Sequence, residues 1–172
     1  MSKFITIVSG GQSGADRGAM DAALHCGARV AGWCPAGGWA EDYPEPPGVL
    51  ALYPQLRETP SSDVIQRTEW CIRDSTCCLA LSAHAPDVSP GTYAGYAFYD
   101  KYAKPHWTFD IDDASSYEQQ VDAIVQWLEG FGDDPIALAV GGPRASEYPG
   151  IYDIAYGVVE SIITKLGGSE GR

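Results

Sequence analysis

Three times along the chain a short apolar run meets glycine and then a helix-forming segment: at Phe4–Ala19, at Cys77–Ala97 and at Ile136–Ala155. A strand followed by a glycine turn and a helix is the unit of a parallel α/β sheet. In such a sheet all turns of this kind leave from the same edge, where the N–H groups at helix starts can hold an anion. The pattern implies a sheet covered on both faces and a candidate site for a phosphate-bearing ligand at the carboxyl ends of its strands.

The remaining segments fill out the expectation. Phe4 to Val8 is the continuous apolar run of a central strand. Ala15, Ala19, Ala22, Ala23 and Cys26 recur at helical spacing, small enough to lie close to the sheet, and Gly27 ends that helix. Arg29 to Gly32 reads as the second strand. Trp33 to Glu58 has no period and reads as a long loop, a lid or pocket wall. Thr59, Pro60 and Asp63 mark a helix start, with a hydroxyl cap, a first-turn proline and an acid at the positive dipole end, for a helix reaching Asp74. Strands follow at Thr76–Ser82, Pro105–Ile111 and Ile136–Val140, with a helix over Thr92–Ala103. Val121, Ile124, Val125 and Leu128 stripe a further helix, and Ile151, Ile154, Ala155, Val158, Val159 and Ile162 the last one. The expected domain is thus a single Rossmann-like three-layer α/β/α unit over residues 1–166. Its mostly parallel five-stranded sheet is expected in the order 2-1-3-4-5, with a disordered tail from Gly167.

Charge and cysteine content narrow the partners. A formal charge of −12 over 172 residues disfavours nucleic acid and anionic membranes, which most of the surface would repel. The five cysteines, odd in number and without a C-x-x-C pair, form no disulfide framework and suit a reducing cytoplasm. No leader and no apolar stretch near the ~20 residues needed to cross a bilayer is evident. His25, His84 and His106 lack ligand spacing to each other or to cysteine, so no protein metal site is indicated.

The loops carry the candidate chemistry. Ser9, Gly10, Gly11, Gln12, Ser13, Gly14, Ala15, Asp16 and Arg17 form the strongest signal. The spacing is neither the dinucleotide fingerprint nor a Walker loop, and no acid follows the second strand to take a ribose hydroxyl. The late loop Gly141, Gly142, Pro143, Arg144, Ala145 and Ser146 sets a guanidinium and a hydroxyl beside glycine, suited to a forked contact with phosphate; an ion pair from Arg144 to Glu147 is the competing use. Ser89, Pro90, Gly91 and Thr92 gain weight from their position. Arg67 and Arg73 stand roughly 120° apart on one helix, so one of them faces the crevice. Each has an i,i+4 acid, Asp63 and Glu69, as an alternative partner. Trp33, Trp39 and Tyr43 could stack on a flat heterocycle whose donors meet Glu41 or Asp42. The tyrosine stripe 93, 96, 99 and 102 reads as packing or a subunit contact.

Together these segments resemble the molybdenum cofactor carrier protein family, within the wider Rossmann-like group that includes the lysine decarboxylase-like cytokinin-activating enzymes. Ser9 to Arg17 meets its S-G-G-Q-[ST]-G-x-D-R. Gly32, Trp33, Cys34, Pro35, Gly37, Glu41 and Asp42 meet G-W-C-P-x-G…E-D. Arg67 to Trp70 and Arg73 to Ser75 meet R-T-E-W and R-D-S, and Gly142 to Ser146 with Pro149 to Tyr152 meet G-P-R-x-S and P-G-I-Y. Cys71 stands where the family usually has asparagine and Ala145 where it usually has glutamate. The resemblance implies a homo-oligomer, dimer or tetramer, that binds the molybdenum cofactor without chemistry on it, with molybdoenzymes as clients. The loops with Arg17 or Arg144 would hold phosphate and oxo groups, and the aromatics with Glu41 or Asp42 would meet the pterin; Pro35, Arg67, Gly91 and Thr92 complete the set. The alternatives are a nucleoside-monophosphate phosphoribohydrolase, whose P-G-G-x-G-T-x-x-E glutamate is here replaced by Gly95 with Glu69 as a substitute, and a nucleotide-sensing module.

Overall fold

The computed structural model describes residues 4–83 and 89–168. His84 and residues 169–172 of the expected tail lie outside them. Strands β1 (Ile5–Ser9), β2 (Arg29–Cys34), β3 (Arg57–Glu58), β4 (Cys77–Ser82), β5 (His106–Asp110) and β6 (Ile136–Gly141) form one sheet in the order β3-β2-β1-β6-β4-β5. Every strand pairing in it is parallel. Helices α1 (Ala15–His25), α4 (Tyr117–Glu129) and α5 (Ile151–Gly168) pack together on one face, and α2 (Val64–Arg73) and α3 (Pro90–Lys101) on the other. The Rossmann-like α/β/α class expected from the sequence is therefore the observed one.

Strand number and order differ from expectation. There are six strands, and the one expected as fifth, β6, lies between β1 and β4 instead of at the edge. Its residues Ile136, Leu138, Ala139 and Val140 are buried, and an all-apolar run of this kind belongs in the interior of a parallel sheet, where both faces are covered. Periodicity reports that burial but not which neighbour supplies it. The extra strand, β3, hides in the long loop. It pairs only Arg57 and Glu58 with Trp33 and Cys34, too few residues to leave an alternation in the sequence.

The rest of that loop belongs to the core. Val49, Tyr53 and Leu56 are buried in the main cluster, and the Tyr53 hydroxyl donates to Asp21 at 2.6 Å. The second helix starts at Val64, capped by Asp63, whose side chain accepts from the Ile65 N–H. Thr59, expected as the cap, donates instead to the carbonyls of Cys34 and Ser61. The C-terminal helix continues through Gly168, past the point where the tail was expected to begin.

Candidate functional site

A cleft of about 90 Å³ opens at the carboxyl ends of β1 and β6, between α2 and α3. Val8, Ala139 and Val140 form its floor. Val64, Arg67, Thr68, Cys71 and Ile72 line it from α2, at the i, i+3, i+4 spacing of one helix face, and Gly91, Thr92, Gly95 and Tyr99 line it from α3. Gly10, Gln12, Gly141, Gly142, Arg144 and Glu147 complete the rim. Crevices of this kind form where helices diverge above adjacent strands.

The first glycine loop is closed on itself. Gly11 N–H donates to Ser9 Oγ at 3.2 Å, Gln12 N–H to Asp16 Oδ2 at 3.3 Å and Ser13 N–H to Gln12 Oε1 at 3.0 Å. The Ala15 N–H at the start of α1 donates to the Pro143 carbonyl at 3.0 Å. These amides are thus engaged by the chain's own oxygens. Gly14 makes the arrangement possible: its φ is +81°, and a Cβ there would lie 2.6 Å from Ala145 N and 2.7 Å from Pro143 O.

Asp16 is buried and receives Arg67 Nη1 at 3.1 Å. Burial pushes its carboxyl upward from the ordinary value, and Arg67 opposes that shift. Arg67 therefore faces inward and pairs across to the first loop rather than with Asp63. Arg73 turns outward to Asp74 at 2.8 Å and lies over the Trp70 ring. Gly10 gives Arg67 its room, since a Cβ there would come within 2.1 Å of the guanidinium.

Several predicted contacts lie outside the cleft and hold the loops in place. Arg17 donates to both carboxylate oxygens of Asp42, at 2.9 and 3.0 Å, and to the Gly11 carbonyl. Its guanidinium also sits 5.2 Å from the centre of the Tyr43 ring. Glu41 accepts from Ser13 Oγ, from Ser146 N–H at 3.2 Å and from Ser146 Oγ at 2.6 Å, joining the first and last glycine loops. Although partial burial of Glu41 works the other way, these donors hold its carboxyl below the usual range. Trp33 packs edge-on against Trp70. None of Ser9, Gly11, Ser13, Gly14, Arg17, Pro35, Glu41, Asp42, Pro143 and Ser146 lines the cleft, whereas Gly10, Gln12, Asp16, Arg67, Gly91, Thr92, Gly142 and Arg144 do.

The mouth is polar. Arg144 Nε lies 3.6 Å from Glu147 and its Nη1 3.9 Å from Glu41. Ser89 Oγ meets Thr92 Oγ1 at 2.6 Å and Glu147 Oε1 at 3.2 Å, without capping α3. Ser89, Glu147, Cys71 and Tyr99 line the cleft as well. The sequence offers Ser89 through its place before the third helix and Glu147 only as the ion-pair partner of Arg144, while the helical spacing of Cys71 behind Arg67 is a usable signal. Burial pushes the Cys71 thiol up to about 12. No group of three or more His, Cys, Asp or Glu side chains among the described residues could hold a metal ion.

Residues 7–163 match the family described as "Circularly permutated YpsA SLOG family". The chain belongs to that family. With β6 and α5 placed ahead of β1, the sheet would read 4-3-2-1-5-6, each half stepping outward from the centre. The chain is also similar to the crystal structure of a "Putative molybdenum carrier protein" from Syntrophus aciditrophicus SB. The two are 33% identical with a TM-score of 0.81, over 94% of this chain and 95% of that one. No curated protein matches the chain.

Proposed function

We propose that this SLOG-family protein is a carrier that binds the molybdenum cofactor, an anionic pterin, in the cleft between α2 and α3. The observation that carries the reading is the convergence of the α3 start, the Gly141–Gly142 turn and Arg144 on one cleft. A helix start beside a guanidinium is suited to a phosphate. The similarity to a protein named as a molybdenum carrier points the same way. Among the described residues no helix is long and apolar enough to cross a membrane, and a cytoplasmic homo-oligomer delivering to molybdoenzymes is the setting we propose.

The test is anaerobic equilibrium binding of intact cofactor, with AMP and molybdate titrated in parallel. Arg144→Ala is expected to weaken cofactor binding by about tenfold or more, the worth of a charge-assisted contact. Unchanged affinity in that variant would remove the site assignment. A second reading, the phosphoribohydrolase, is favoured by one observation: Glu147 brings a carboxylate to the mouth. Glu69 does not line the cleft; it is bonded to Lys101 and to Tyr102 Oη. Release of free base from AMP, lost in Glu147→Gln, would establish the enzyme in place of the carrier.

A further inference from the structure

The donors gathered around Glu41 are those that hold an oxyanion. Its carboxylate accepts from Ser13 Oγ, from Ser146 N–H at 3.2 Å and from Ser146 Oγ at 2.6 Å, and Arg144 Nη1 stands 3.9 Å away. Two hydroxyls, a backbone amide and a guanidinium, converging from the first and last glycine loops, make an anion seat. The chain's own side chain fills it. Ser13 is 6% exposed, so one wall of the seat is built into the fold, whereas the Glu41 side chain is 22% exposed and keeps a path to water.

The carboxylate is one of several ties between these loops. Ala15 N–H donates to the Pro143 carbonyl at 3.0 Å and Ala145 N–H to Ser13 Oγ at 3.2 Å, joining the first loop to the last directly. The segment that carries Glu41 is held by its backbone, whose N–H donates to Gln12 Oε1 at 2.9 Å, and by the forked contact between Asp42 and Arg17. Rotation about the Glu41 side-chain bonds therefore empties the seat while the loop stays in place. Arg144 is divided between Glu147 at 3.6 Å and Glu41 at 3.9 Å, both longer than a hydrogen bond. It also lines the cleft, so seat and cleft share a wall.

We propose that Glu41 is a resident stand-in for the ligand's charged group: a phosphate or similar oxyanion takes the place of its carboxylate between Ser13, Ser146 and Arg144, and the Glu41 side chain turns out to water. This rests on the anion-binding reading above and deepens it, adding the Ser13–Ser146 side of Arg144 to the contacts of the cleft and giving the site a built-in competitor. The empty protein keeps its seat donors paired. An incoming group displaces Glu41 only to the extent that it holds those donors better than one carboxylate does. A doubly charged oxyanion with three or four acceptor oxygens meets that condition, and a singly charged carboxylate or halide does not, so the competitor sets selectivity as well as affinity.

Titration calorimetry on the full chain tests this, with inorganic phosphate, molybdate and AMP as probes. Glu41→Ala, which vacates the seat, and Glu41→Gln, which keeps an acceptor there but removes the charge, should each bind one of these probes about tenfold or more tighter than the parent does. A gain largest for AMP identifies a ligand-borne phosphate, and one largest for phosphate or molybdate a free oxyanion. The same probe should raise the Tm of Glu41→Gln by more than that of the parent. Glu45→Gln removes an exposed acid from the same loop outside the seat and should leave affinity within about twofold; an equal gain there would reduce the effect to overall charge and overturn the seat. Adding Ser146→Val to Glu41→Gln should abolish the gain, and a gain that survives it would overturn the seat too. Unchanged or weaker binding in both Glu41 variants, with Arg144→Ala still weakening the parent, would overturn the seat while leaving the anion-binding cleft standing. Failure of the parent and both variants to bind any probe would remove the anion reading as well.

Discussion

Arg17 shows how a residue can satisfy a motif and still serve the fold. Its spacing after the first glycine loop reads as an anion contact, but its guanidinium is largely buried against Asp42, Gly11 and Tyr43. Because Asp42 is 42% exposed, removing the arginine leaves a carboxylate that water can reach, so Arg17→Ala should destabilise by about 2 kcal/mol, less than a fully buried pair. Thermal unfolding of the variant without ligand checks this. Glu41 lends itself to a pH test. Its folded-state carboxyl is held below the ordinary value of 4.5, so the stabilisation is complete above that pH and fades as pH falls through the lower folded value. Glu41→Gln should therefore lower Tm at pH 7 and flatten the loss of stability seen on acidification below about 4.5; a parallel acid limb in both proteins would contradict it. At this scale the sequence named Arg67 or Arg73 as inward-facing, by helix geometry alone. Only packing shows that Asp16, 51 residues away in the chain, is what draws Arg67 in.

Among the elements, the joint between α1 and the β6 loop leaves no room for a side chain. At Gly14→Ala the left-handed φ costs about 1–2 kcal/mol, and the clash with Pro143 and Ala145 backbone adds to it. The variant should lose at least about 3 kcal/mol or fail to accumulate as soluble protein. The strand order makes a second prediction. Phe4 and Gly167 line one groove at the amino end of the sheet, so the ends of the described chain are neighbours. A permuted gene that opens at Gly132 and joins residue 167 to residue 4 through a short glycine linker should fold to the same sheet, with near-UV circular dichroism matching the parent. A molten spectrum would show that the present connectivity is needed for packing. The strands and helices themselves were legible because each carries its own period. The place of β6 was not, because pairing joins Ile5 to Ile136 and no local pattern encodes so distant a neighbour.

For the whole molecule, the charge of −12 opposes compaction through mutual repulsion. Raising ionic strength from about 0.02 to 0.2 M shortens the screening length severalfold, and should raise Tm by a few degrees. A flat or falling Tm would mean that ion pairs such as Arg17–Asp42 outweigh the repulsion. Fold class, the three glycine loops and the rule that only one of Arg67 and Arg73 faces inward follow from the sequence alone, since each rests on local period or residue chemistry. Tertiary structure decided which loops face the cleft and which clamp one another. The same glycine, serine and arginine side chains serve either purpose, and the choice depends on what the sheet order brings within hydrogen-bond reach.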